Sequence, residues 1–137
     1  MEERRLFKRY PVYCPLEFKP YGLPRDRCIT VNLSEAGALI STSKNLNISD
    51  QMIIRIIIKE QEFFLRARVV HIQDERTPGL YGVGVEFVEQ PKDFVGRFYE
   101  ELETLMLYRR RLSEEAGSDI SLTEASTKWY RNSPIWL

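Results

Sequence analysis

Apolar residues between positions 11 and 88 fall in short runs with turn-forming residues between them, and after position 93 they switch to a helical period. Residues 11–18, Pro-Val-Tyr-Cys-Pro-Leu-Glu-Phe, are β-rich, and the prolines at 11 and 15 suit an edge strand or a strand start. Residues 21–26 form a turn. Residues 28–33 and 38–41 are two short strands joined by Ser34-Glu35-Ala36-Gly37, the spacing of a hairpin or sharp bend. The β-branched run at 52–59 is a buried strand. Over 63–72, Arg66 and Arg68 share one face while Leu65, Ala67 and Val69 share the other. Over 81–88, Gly82 and Gly84 alternate with apolar residues, as in a strand that curves or lets another group pass close by. Strands this short and evenly spaced predict a sandwich or barrel rather than βαβ units.

The period then changes. Phe94, Phe98, Leu102, Leu105, Met106 and Leu112 recur at helical spacing, with Glu100, Glu101 and Glu103 on the polar side, and predict a helix over 93–112. Arg109, Arg110 and Arg111 are placed to close it, where cations complement the negative end of the macrodipole. The organisation read from this pattern is one domain over residues 1–112, then a polar linker and aromatic tail over 113–137. Two tryptophans, a tyrosine and an isoleucine in the last nine residues are too apolar for an idle linker, so the tail either docks on its own barrel or meets a protein partner.

Composition narrows the function classes. The chain has 137 residues, 43% hydrophobic and 29% charged, enough for one core without metal or disulfide staples. Lys plus Arg and Asp plus Glu are equal at 20 each, so no overall field draws the protein to nucleic acid or an anionic membrane, and any anion site is local. The charged first residues are followed by no long apolar run, which predicts neither a signal peptide nor a membrane span and a cytoplasmic location. Cys14 and Cys28 lack CxxC spacing and read as small apolar strand residues. No metal-ligand cluster, Gly-rich phosphate loop or catalytic constellation is present, so no catalytic residue, metal or cofactor is expected and the protein reads as a non-enzyme.

Two motifs remain. Arg4, Arg5 and Arg9 supply guanidinium groups that match phosphate or the O6/N7 edge of guanine. Asn32 and Ser34, two apart on an extended chain, are expected on one face, and Gly37 provides either a positive φ or room for close approach. Together these residues resemble the signature of the PilZ domain family, RxxxR with a preceding Arg, followed by (D/N)xSxxG. An RxxxR alone arises about once by chance in an arginine-rich chain of this length. The second half is the rarer pattern and carries most of the resemblance, which extends over roughly residues 4–112 and includes the Tyr-Gly-Val-Gly-Val-Glu-Phe strand.

The resemblance implies a six-stranded antiparallel β-barrel followed by a C-terminal α-helix, and a bacterial receptor for the second messenger cyclic di-GMP. Arg4, Arg5 and Arg9 would bind phosphates and Hoogsteen edges, Asn32 and Ser34 would hydrogen-bond a guanine, and Gly37 would hold the turn open. His71, the single histidine, would stack on a base. In this reading the arginine arm closes over the nucleotide and alters a surface offered to a downstream protein, with residues 129–137 as one route to that partner. The alternative is a ligand-independent adaptor of pilus or motility machinery. Asn32 stands where the family more commonly has Asp, which removes charge-assisted bonds to guanine N1 and N2.

Overall fold

The structure is a computed structural model and describes residues 7–136. Arg4 and Arg5 lie outside the described residues. Six strands, β1 (Pro15–Pro20), β2 (Asp26–Leu33), β3 (Gly37–Thr42), β4 (Gln51–Ile58), β5 (Gln61–Asp74) and β6 (Tyr81–Glu89), close into an antiparallel barrel in the order β1-β2-β3-β6-β5-β4. The inward-facing alternate residues fill its interior. Leu16, Phe18, Ile40, Met52, Ile54, Ile56, Leu65 and Ala67 are all fully buried. Cys14 and Cys28 are buried free thiols within the same core, and burial pushes both thiol pKa values up.

The barrel is plugged at one end by α1 (Phe94–Ala116). Phe94 meets Phe63 and Phe87 edge-on at 5.4 and 5.7 Å between ring centroids, and Phe98, Leu102 and Leu105 continue the buried stripe. Each fully buried aromatic or leucine here contributes roughly 1.5–3 kcal/mol. This stripe was legible in the sequence. The helix end was not where the arginines placed it. Arg109–Arg111 sit inside the helix, which continues to Ala116 and stops at Gly117, whose φ of 69° forms a left-handed cap donating to the Ser113 carbonyl.

Residues 113–137, read from sequence as a linker and tail, hold more structure than that. A second helix, α2 (Leu122–Trp129), starts at Ser121, whose hydroxyl accepts from the Glu124 amide at 3.0 Å. A 3-10 turn follows at Pro134–Trp136. Both dock on the domain. The Ser126 hydroxyl accepts from the Tyr13 amide at 2.9 Å, Thr123 donates to the Pro11 carbonyl at 3.1 Å, and Arg27 donates to the Trp136 carbonyl at 3.2 Å. Ala125, Ile135 and Tyr130 are buried, while Trp129 and Trp136 each keep about two fifths of their surface exposed (42% and 41%).

Tyr130 also explains an unexpected burial. Glu101, placed by the helical pattern on the polar side of α1, is only 6% exposed because the docked tail covers it, and its carboxylate accepts from the Tyr130 hydroxyl at 3.1 Å. Desolvation raises the Glu101 pKa, with the Tyr130 hydrogen bond opposing the rise.

Candidate functional site

On the outer wall of the barrel, Asn32 of β2 pairs with Leu39 of β3, Leu39 with Gly84 of β6, and Gly84 with His71 of β5. These four residues form one row across four strands and line a cavity of about 590 Å³, together with Arg9, Gln73 and Glu86. The volume lies within the roughly 300–1,000 Å³ of small-molecule sites.

Two register shifts create the row. Cys28 and Thr30 face inward on β2, so strict alternation would also send Asn32 inward; a bulge between Thr30 and Asn32 turns it outward and lets Leu33 fill the core. On β5, Phe63, Leu65, Ala67 and Val69 face inward, and a bulge between Val69 and His71 does the same for the histidine. Both polar residues therefore owe their position to an interruption of the period. Gly84, between Leu39 and His71, keeps the floor low. A Cβ there would lie 3.2 Å from the His71 Cβ.

The polar groups of the cavity differ in how they are satisfied. His71 Nε2 is 2.9 Å from Gln73 Oε1, which orients the ring on the exposed face. Asn32 Oδ1 is buried and makes no hydrogen bond among the described residues. An orphaned buried acceptor costs roughly 1–3 kcal/mol, so the site holds an acceptor that a donor from outside would satisfy. Glu86 is bound through Oε1 by Arg68 Nη2 at 2.6 Å. Arg9 enters from the chain that precedes Tyr10, and Tyr10 is fixed to Leu33 by reciprocal backbone bonds of 2.9 Å. The base of the arm is thereby held beside Asn32.

Ser34 and Gly37 do a different job. Ser34 does not share the Asn32 face; it is 4% exposed, and its hydroxyl accepts from the amides of Ala36 and Gly37, both at 3.1 Å. Gly37 needs no positive φ. A Cβ on it would lie 2.3 Å from the Val85 carbonyl oxygen, so it is there for close approach of β6. Next to it, Tyr99 of α1 donates to Glu35 at 2.5 Å. The structure thus brings Arg9, Asn32 and His71 together, and Ser34 and Gly37 shape the turn beside them. Sequence reasoning missed Glu86 and Gln73: Glu86 lies on a strand it had placed, opposite Gly37, while Gln73 lies one residue beyond the predicted 63–72 strand, which continues to Asp74 and sets Gln73 opposite Gly82.

The architecture and the site define a small barrel domain with a polar cavity on its outer wall, lined on one side by Arg9. A PilZ domain model matches residues 3–104, and the chain belongs to the PilZ domain family. The fold is similar to the PilZ domain of Escherichia coli YcgR solved with c-di-GMP, at 16% identity and a TM-score of 0.57 over 84% of this chain and 98% of that one. It is also similar to the Bacillus subtilis inhibitor of motility MotI/DgrA (15% identity, TM-score 0.63, 79% of this chain and 54% of that one). A third likeness is to the K. pneumonia MrkH complex with c-di-GMP (15% identity, TM-score 0.62, 80% and 55%). The chain spans about half the length of the latter two. No curated protein matches in sequence. Among the described residues, no helix is long and apolar enough to cross a membrane, and no group of three or more His, Cys, Asp or Glu side chains could hold a metal ion.

Proposed function

We propose that this domain is a non-enzymatic receptor that binds cyclic di-GMP on the outer barrel wall and converts binding into an altered protein-interaction surface. One observation carries the reading: the cavity gathers Arg9, Asn32 and His71 from three separate parts of the chain, and Asn32 Oδ1 has no hydrogen-bond partner there among the described residues. Guanine offers donors on N1 and N2 for such an acceptor, and its O6/N7 edge and the phosphates offer acceptors for arginine. Membership in the PilZ family and the c-di-GMP complexes of YcgR and MrkH support the choice of ligand.

In this reading Arg4, Arg5 and Arg9 close over the nucleotide, with Tyr10 as the fixed end of the arm, and His71 stacks on a base. Binding energy then appears as order in the arm. Calorimetric titration with cyclic di-GMP tests this. The wild type is expected to bind, and Arg5→Ala and Arg9→Ala to lose most of the affinity while the far-ultraviolet dichroism stays native. Wild-type affinity in both variants would sink the proposed site.

A further inference from the structure

Glu86 lies on the outer face of β6, two residues along from Gly84, with Gly37 opposite it on one side and Arg68 on the other. It lines the same cavity as Asn32 and Arg9. A carboxylate in a site for an anionic ligand needs a reason. Arg68 balances its charge through Oε1, and both side chains of that pair remain 46% exposed at the rim, which leaves Oε2 for a ligand.

We propose that Glu86 reads the N1–H and N2–H edge of a guanine and so sets the base specificity of the site, with Arg68 as the residue that positions it. The inference rests on the cyclic di-GMP reading above. Its physical basis is the donor and acceptor inventory. Guanine presents two parallel donors, and a carboxylate accepts only, so the two match with charge assistance. The Asn32 amide has one acceptor oxygen beside an NH2 group that only donates, so unlike a carboxylate it cannot set two parallel acceptor atoms against the two guanine donors. Adenine has a lone pair at N1 where guanine has a proton, so the same carboxylate repels it. A site built to bond a donor rejects the analogue that lacks it far more strongly than an apolar pocket does. The carboxylate that position 32 lacks is thereby supplied from β6, across two strands.

The test is calorimetric titration of the wild type, Glu86→Gln and Arg68→Met with three ligands: cyclic di-GMP, cyclic di-IMP, which keeps N1–H and loses the N2 amine, and cyclic di-AMP. The wild type is expected to prefer them in that order. Glu86→Gln should weaken cyclic di-GMP roughly tenfold or more and narrow the gap between cyclic di-GMP and cyclic di-IMP. Arg68→Met should weaken cyclic di-GMP by a smaller factor. The Arg68–Glu86 pair is half-exposed and worth little to stability, so both variants should keep the native dichroism spectrum and melting temperature.

Unchanged cyclic di-GMP affinity in Glu86→Gln overturns the inference, as does an equal loss toward all three ligands, which would make Glu86 a structural residue. A wild type that binds no cyclic di-GMP overturns the receptor reading and this inference together. Loss of binding in Arg9→Ala and Asn32→Ala beside a fully active Glu86→Gln overturns the inference alone.

Discussion

The Tyr99 hydroxyl donates to the Glu35 carboxylate at 2.5 Å, which ties the helix that plugs the barrel to the turn between Ser34 and Gly37. Losing its proton beside that carboxylate is unfavourable, so the Tyr99 pKa is pushed up to about 12, chiefly by the hydrogen bond. The protonated phenol is the form the fold favours. Its contribution is complete below the ordinary tyrosine pKa and is lost as pH rises through about 12. Glu35→Gln should lower this value toward that of a free tyrosine, read from the ultraviolet absorbance of the phenolate in a titration of wild type and variant. An unshifted titration would break the proposed link between α1 and the turn.

Two glycines separate folding from binding. Gly37→Ala drives a Cβ into the Val85 carbonyl, and backbone cannot step aside, so β3 and β6 must part at a cost of about 1–3 kcal/mol. Gly84→Ala brings a Cβ to 3.2 Å from the His71 Cβ, with the His71 backbone at ordinary contact distance beyond it, and raises the cavity floor. Urea denaturation should therefore show a large loss for the first and a change under about 1 kcal/mol for the second. Nucleotide titration should show weakened binding for both.

The buried pair of Glu101 and Tyr130 predicts a pH slope. Burial raises the Glu101 carboxyl pKa, so its contribution to stability is complete below the ordinary carboxylate range and fades as pH rises through the raised value. Melting temperature measured across acid to neutral pH should fall less steeply in Glu101→Gln than in wild type, and the variant should be the more stable at neutral pH. Tyr130→Phe removes the hydroxyl that bonds the carboxylate and should cost roughly 1–3 kcal/mol at neutral pH.

The C-terminal segment packs on the barrel, and its contribution to stability is open to measurement. Ser126→Ala leaves the Tyr13 amide without its acceptor, at a cost of about 1–3 kcal/mol in a chemical denaturation experiment. Deleting residues 113–137 removes buried Ala125, Tyr130 and Ile135 as well, and should destabilise the barrel further than Ser126→Ala alone. A truncated chain as stable as the full one would show that the docked segment contributes nothing.

Much of this was legible in the residues, for reasons that can be named. Strands β4 and β5 follow from β-branched runs and strict alternation, and the α1 stripe follows from Phe94, Phe98, Leu102 and Leu105. What the period could not show is where it breaks. Asn32 and His71 reach the cavity through bulges, and a bulge is a relation between two strands, invisible in either alone. The burial of Glu101 depends on Tyr130, which is 29 residues away. Two local signals were present and outweighed. Gly117 marks the stop of α1 better than the arginines before it, and Ser121-Leu122-Thr123-Glu124 is a capping-box sequence in a stretch otherwise too polar to suggest a helix.

Closure of the barrel between β1 and β4 restricts the conversations this domain can hold. Along the closed part of the barrel the described strands are paired on both sides, and only β5 beyond Val69 runs on without a partner from β4, so the closed wall offers a foreign strand no row of backbone to extend. A partner docking on the closed wall would meet side chains, as one reads a label rather than joining a queue. A signal of the kind proposed above would leave that wall through side chains, which can change one at a time without unpicking the sheet.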